Sequence, residues 1–323
     1  MERQNTSMTI EKNEQPLNEK PLTAVGRFAP SPTGRQHAGN IFAALVAWLE
    51  TKSQNGRMVL RIEDLDQERS KPEYVEMIQR DLELLGLFWD EGPYFQNDRI
   101  DVYEEAFSKL ENRGLLYPCF CSRADLHAAS APHLGENTVY ARTCEALTLL
   151  ERQIKEKEKA AATRIRVPDE AITFTDLIQG ETKYNLTDEI GDFVIKRSNG
   201  GYAYQLAVVL DDAQQEINSI VRGSDLLDST AKQIFLQKLL GFKQPQYCHI
   251  PLMVDTSGRR LSKRHRDTEM DALLQRFKTP QKVLGHIAYL AGIIDDDCEA
   301  TAEELLRTYS RDSLKNKPDI VWN

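Results

Sequence analysis

Two short apolar runs, AVGRF at 24–28 and RMVLRIED at 57–64, are each followed by a stretch whose apolar residues recur at helical spacing. In 40–54 these are Ile41, Ala44, Leu45, Trp48 and Leu49. In 71–87 they are Tyr74, Val75, Ile78, Leu82 and Leu85, with Pro72 where a first helical turn tolerates proline. Strands alternating with helices in this way have few solutions. They form parallel strands joined by right-handed crossovers, with helices covering the sheet. The expected fold class is therefore α/β.

The alternation breaks near Pro118. From there to about Ser198 come three clustered cysteines, a charged helical stretch EALTLLERQIKEKEKAAAT, and short strand-like runs TRIRV, ITFTD and DFVIKR. After SNGG it resumes through YAYQLAVVLDD, INSIVRG, the helix DSTAKQIFLQKLLG and the strand YCHIPLMVD. From Asp267 onward Val283, Ile287, Leu290 and Ala291 lie at helix spacing. The pattern is that of one sheet domain split by an insertion. The expected divisions are a tail (1–22), a first half-domain (23–117), an insertion (118–198), a second half-domain (199–266) and a helical C-terminal region (267–323).

A length of 323 residues suits two or three structural units. No apolar run approaches the roughly 20 residues that cross a bilayer. Residues 1–21 are polar and lack the apolar segment of a secretory signal, so they read as a mobile tail. Five cysteines in a chain this long do not make a disulfide framework, and the cytoplasm is the expected compartment. A formal net charge of −9 argues against indiscriminate coating of nucleic acid, which rests on neutralising many phosphates. Local recognition is not excluded. In GRRLSKRHR, Gly258 to Arg266, six of nine residues are Arg, Lys or His; standing alone, such a run would be a solvated basic loop.

The segment RFAPSPTGRQHAGN, 27–40, joins the first strand to the first helix. In an α/β sheet that turn sits at the carboxyl edge, where ligands bind and a helix N-terminus offers free amides to anions. Gly34 and Gly39 would admit a phosphate close to the backbone, and His37 would add a donor near developing charge. A rigid turn with one surface histidine has the same composition.

The company these residues keep separates the two readings. His37, Ala38, Gly39 and Asn40 resemble the first signature of class I aminoacyl-tRNA synthetases, and RLSKR, Arg260 to Arg264, resembles the second, whose second lysine aligns with Lys263. RFAPSPTG, RIEDLD and YQLAVVLDD are similar more specifically to the glutamyl-tRNA synthetase branch. The match spans most of 25–290 and keeps the family's order. It implies a Rossmann-type catalytic domain with an acceptor-arm-like insertion. Asn40 stands where the first signature ends in His, while Arg260 and Arg264 replace the outer Lys and Ser of the second. None of these departures removes His37 or Lys263.

Cys119, Cys121 and Cys144 supply three thiolates, and a closed zinc site needs a fourth donor. On spacing alone His127 or His133 ranks beside Tyr140. The Cys-x-Cys and Tyr-x-x-x-Cys pattern resembles that of the glutamyl-queuosine tRNA(Asp) synthetases, which implies Tyr140. About 57 residues follow Arg266, too few for a typical anticodon-binding domain, as in that truncated branch.

Glutamate presents two carboxylates and one ammonium, so its site calls for guanidinium forks and an acid. By resemblance Arg27, Tyr204 and Arg222 contact the amino acid and Glu63 takes the ammonium, with Phe28, Ala29, Pro30 and Ser31 beside them. Taken singly, Arg222 could be a salt bridge to Asp225, and Glu63 could pair with Arg61. Leu226 stands where full-length synthetases often carry Trp. His37, Gly39, Asn40 and Lys263 are the expected ATP-binding residues, His37 and Lys263 the catalytic ones. The resemblance implies Mg²⁺ with ATP, one structural Zn²⁺, and ATP, L-glutamate and queuosine-bearing tRNA(Asp) as partners of a single chain. Two other readings are a short glutamyl-tRNA synthetase charging a tRNA 3′ end and a non-catalytic RNA-binding module.

Overall fold

The computed structural model describes residues 23–122, 125, 139–261 and 266–322. The tail expected at 1–22 lies outside them. In chain order the elements are β1 (Val25–Phe28), α1 (Ala38–Lys52), β2 (Arg57–Ile62), α2 (Pro72–Leu84), β3 (Glu91–Phe95), α3 (Ile100–Asn112) and β4 (Leu116–Cys119). Then follow α4 (Leu149–Glu158), β5 (Ala162–Ile165), β6 (Ala171–Asp176), β7 (Gly180–Asn185), β8 (Phe193–Lys196), α5 (Tyr204–Gln214), β9 (Ser219–Gly223) and α6 (Leu227–Leu240). The last are β10 (Gln246–Ile250), β11 (Met253–Val254), α7 (Met270–Phe277), α8 (Pro280–Leu290), α9 (Ala302–Thr308) and β12 (Ile320–Val321).

The main sheet has seven strands in the order β3-β2-β1-β9-β10-β6-β7. All neighbours are parallel except β6 and β7, which form a hairpin. The central strands β1, β2, β9 and β10 are buried on both faces. In β2, Met58, Leu60 and Ile62 join the core under α1, α2 and the C-terminal helices, whereas Val59 joins the core under α3, α5 and α6. Helix α1 lies so close to β1 that a Cβ on Gly26 would fall 1.9 Å from Thr51 Oγ1. Glycine is required there by packing.

The first strands of the two half-domains, β1 and β9, are neighbours. Asn218 Oδ1 accepts from the Val25 amide at 2.8 Å and its own amide returns to the Val25 carbonyl at 3.1 Å. The sheet runs outward in both directions from this seam, leaving a crevice at the carboxyl ends of β1 and β9.

Two findings refine the sequence reading. Residues 118–198 serve two sheets: β4, β5 and β8 make a separate antiparallel sheet, while the hairpin β6–β7 extends the main one through β10. Phe174 of β6 docks edge-on against Tyr247 of β10 at 5.9 Å between ring centres, which draws the hairpin there. The C-terminal region is helical as expected but ends in a strand, β12, lying parallel to β11. Buried Trp322 packs there against Phe277 and His286.

Candidate active site

A cleft of about 620 Å³ opens at the β1–β9 seam. Arg27, Phe28, Ala29, Pro30, Ser31, Glu63, Tyr204 and Arg222 all line it, together with His37 and Asn40. Gly39 lines a smaller adjoining cavity of about 80 Å³, shared with His37 and Asn40. Lys263 lies outside the described residues. The segment carrying it is flanked by Leu261, whose side chain lines the cleft, and by Glu269, which forms a β-bridge with His37.

His37 is the N-cap of α1. Its Nδ1 accepts from the Gly39 amide at 3.2 Å, and Asn40 Oδ1 accepts from the His37 amide at 3.3 Å, a reciprocal capping box. With Nδ1 accepting, the proton of the neutral ring sits on Nε2. Asn40 therefore closes the helix start by accepting from the cap. Arg35 ties the same loop to Asp81 of α2, at 3.5 Å, and to Asp271 of α7.

Behind the cleft lies a chain of buried charge. Arg61, wholly buried in β2, reaches Asp212 Oδ1 at 2.8 Å, Glu63 Oε1 at 3.3 Å and Asp211 Oδ2 at 3.8 Å. Asp211 also accepts from Gln96, Arg99 and Tyr103. Arg27 lies 3.4 Å from Asp212 and donates to the Val221 carbonyl at 3.1 Å. Glu63 thus has both roles weighed for it, partner of Arg61 and wall of the cleft. Burial pushes its carboxyl up to about 7 against the pull of Arg61 and Arg27. Burial likewise raises the Tyr204 phenol, which stays protonated and able to donate.

Arg222 does not pair with Asp225. Its Nε donates to His249 Nε2 at 3.0 Å and its Nη2 to Thr230 Oγ1 at 2.8 Å. Asp225 is held instead by Arg260, and both line the cleft beside Leu226. Sequence reasoning missed Asp212, His249 and Asp176 as supports, along with Gln36 and Thr33 of the wall. The loop residues could have been found from their place inside 27–40.

In the insertion, the sulfurs of Cys119, Cys121 and Cys144 all lie within 4.8 Å of one another. Tyr140 Oη sits 3.5 Å from Cys119 Sγ and 3.7 Å from Cys121 Sγ, and accepts from the Cys144 amide at 2.9 Å. Edges of a tetrahedron with Zn–S near 2.3 Å are about 3.8 Å, so three thiolates and this phenol fit one zinc ion. Arg164 supports the group: its Nε donates to Cys119 Sγ at 3.2 Å and its guanidinium covers the Tyr140 ring at 3.9 Å. His127 and His133 lie outside the described residues.

Residues 23–312 match the family described as tRNA synthetases class I (E and Q), catalytic domain. Among curated proteins, one from Symbiobacterium thermophilum named glutamyl-Q tRNA(Asp) synthetase is 43% identical over 91% of this chain and 94% of its own length. The chain belongs to the glutamyl-Q tRNA(Asp) synthetase family. A second relative of that name, from Nitratidesulfovibrio vulgaris, is 41% identical over 92% of this chain and 95% of its own. One from Pseudomonas putida (strain GB-1) is 47% identical over 75% and 77%. The fold is that of a solved glutamate-tRNA synthetase from Elizabethkingia anophelis, with a TM-score of 0.78 and 25% identity over 93% of this chain and 68% of that one. The protein is thus a ligase of the class I synthetase kind, built on a mixed α/β sheet. No helix among the described residues is long and apolar enough to cross a membrane.

Proposed function

We propose that the protein activates L-glutamate with ATP and transfers it to the queuosine base in the anticodon of tRNA(Asp). The observation that carries this reading is the convergence of Arg27, Glu63, Tyr204 and Arg222 on one cleft that also holds His37 and Asn40, in a chain spanning 94% of a relative named for that transfer. Two guanidinium groups suit two carboxylates, and Glu63 suits the ammonium. Ala29 and Ser31 shape the floor between them, with Phe28 and Pro30 alongside.

In the first step the glutamate α-carboxylate attacks the α-phosphorus of ATP and pyrophosphate leaves, giving glutamyl-adenylate. The nucleophile is already ionised, so the demand is for position and charge stabilisation. His37, its proton on Nε2, and Lys263 serve the phosphates, while Gly39 and Asn40 at the helix start hold the nucleotide. Mg²⁺ carried with ATP would neutralise phosphate charge. In the second step a cyclopentene hydroxyl of queuosine attacks the anhydride carbonyl and AMP leaves. Zn²⁺ held by Cys119, Cys121, Tyr140 and Cys144 would brace the insertion.

Labelled glutamate supplied with ATP should pass to queuosine-containing tRNA(Asp), and neither to the same tRNA lacking queuosine nor to tRNA(Glu). Charging of tRNA(Glu) would replace this reading with a short glutamyl-tRNA synthetase. Absence of glutamate-dependent pyrophosphate exchange would leave only an RNA-binding role.

A further inference from the structure

We infer that His249 and Asp176 form a positioning relay that orients the Arg222 guanidinium while leaving its positive charge for a substrate carboxylate. The inference rests on the proposed role of Arg222 as a carboxylate clamp. Asp176 ends β6, His249 lies in β10 and Arg222 in β9, three adjacent strands. All three side chains are buried, at 2%, 0% and 5% exposure.

Asp176 Oδ2 lies 2.6 Å from His249 Nδ1, and His249 Nε2 lies 3.0 Å from Arg222 Nε. A guanidinium only donates, so Nε2 must accept, and the ring proton must sit on Nδ1 facing Asp176. Asp176 is fixed in turn. It accepts from the amides of Ile178 at 3.0 Å, Gln179 at 2.9 Å and His249 at 3.1 Å. Burial and the neighbouring Arg222 keep the imidazole neutral by pulling it below the usual histidine range, against the pull of Asp176. The Tyr247 ring stacks on His249 at 6.1 Å and lies 5.5 Å from the guanidinium. Thr230 takes Nη2, and Nη1 is buried with no hydrogen-bond partner among the described residues.

An arginine held directly by an aspartate would be oriented but also neutralised, as Arg27 is partly by Asp212. Inserting a neutral imidazole separates the two effects. It fixes the Nε edge of the fork and holds the anion one ring away. A histidine suits this place because one ring donates to Asp176 while accepting from Arg222.

The test is glutamate-dependent pyrophosphate exchange, with KM for glutamate and for ATP measured separately. In His249→Gln the amide oxygen can still reach Arg222 Nε, and KM for glutamate should stay within about threefold of wild type. In His249→Asn the side chain is too short, and KM for glutamate should rise about 10- to 100-fold, the range for a lost hydrogen bond to a charged group. KM for ATP should stay within about threefold in both. Equal effects of the two substitutions, or parallel rises in both KM values, would overturn the relay. Arg222→Ala separates the two levels: no rise in KM for glutamate there would remove the clamp itself, whereas a rise there without one in His249→Asn would remove only the relay. A readout independent of variant folding is ¹⁵N NMR of the unsubstituted protein. It should show His249 protonated at Nδ1 and bare at Nε2 at pH 7, and the opposite tautomer would overturn the inference.

Discussion

Glu63 makes a demand on pH that few cleft residues make. Its carboxyl is raised to about 7 mainly by burial, and in the role proposed for it must be ionised to hold the substrate ammonium. The kcat/KM for glutamate should therefore fall about tenfold per unit as pH drops below 7 and level off above it, and Glu63→Gln should flatten that limb. Stability takes the opposite sign. The folded value lies above the ordinary 4.5, so the folded state binds the proton more tightly, and stability contributed by Glu63 is lost as pH rises from about 4.5 to about 7. Denaturant midpoints of the parent and of Glu63→Gln, compared across that window, would show it. Glu63 and Arg27 were legible as cleft residues because each sits inside a motif of the resemblance. Asp176 and His249 were not. In a single sequence Asp176 is a strand-end acid and His249 a polar residue in an apolar strand, and neither announces a partner 73 positions away.

The capping of α1 shows how one helix start has two uses. His37 ends the loop by accepting from Gly39, so replacing it by alanine would confound loss of a cap with loss of the imidazole. Asparagine is itself a good N-cap. His37→Asn should keep stability within about 1 kcal/mol of the parent by urea unfolding, while slowing adenylate formation about 10²- to 10³-fold in pyrophosphate exchange. Helix α5 offers a contrasting case. Its Asp211 and Asp212 are buried against Arg61 of β2, and Arg61→Met would leave Asp211 to Arg99 but Asp212 with only Arg27, at 3.4 Å. That substitution should cost about 3–5 kcal/mol in the same unfolding experiment. Most elements were visible in their apolar spacing, but the helix register was set by the cap, so α1 begins at Ala38 instead of Asn40.

At the scale of the whole molecule, the parallel sheet and its split were readable because strand–helix alternation admits few topologies. The destination of the β6–β7 hairpin was not, since its alternating exposed and buried residues suit any half-covered sheet edge. The β11–β12 pair was invisible because two residues carry no periodicity. It nonetheless braces the rim: the Trp322 amide donates to the Val254 carbonyl at 2.8 Å, and Leu261 hangs from Met253 at 2.9 Å. Removing residues 320–323 should lower the melting temperature and speed hydrogen exchange across 252–261, read by mass spectrometry. The insertion has its own test. The protein should carry one zinc ion per chain by metal analysis, and Cys119→Ser should lose it.

The seam between β1 and β9 also sets a timetable for synthesis. Val25 and the Asn218 that satisfies it are 193 positions apart, so β1 emerges from the ribosome with one edge open. At about 5–20 residues per second, that edge waits roughly 10–40 s for its partner. An unpaired apolar strand edge invites pairing with other chains. A nascent chain stalled before residue 217 should accordingly be held by chaperones, and one stalled well beyond 250 should be released.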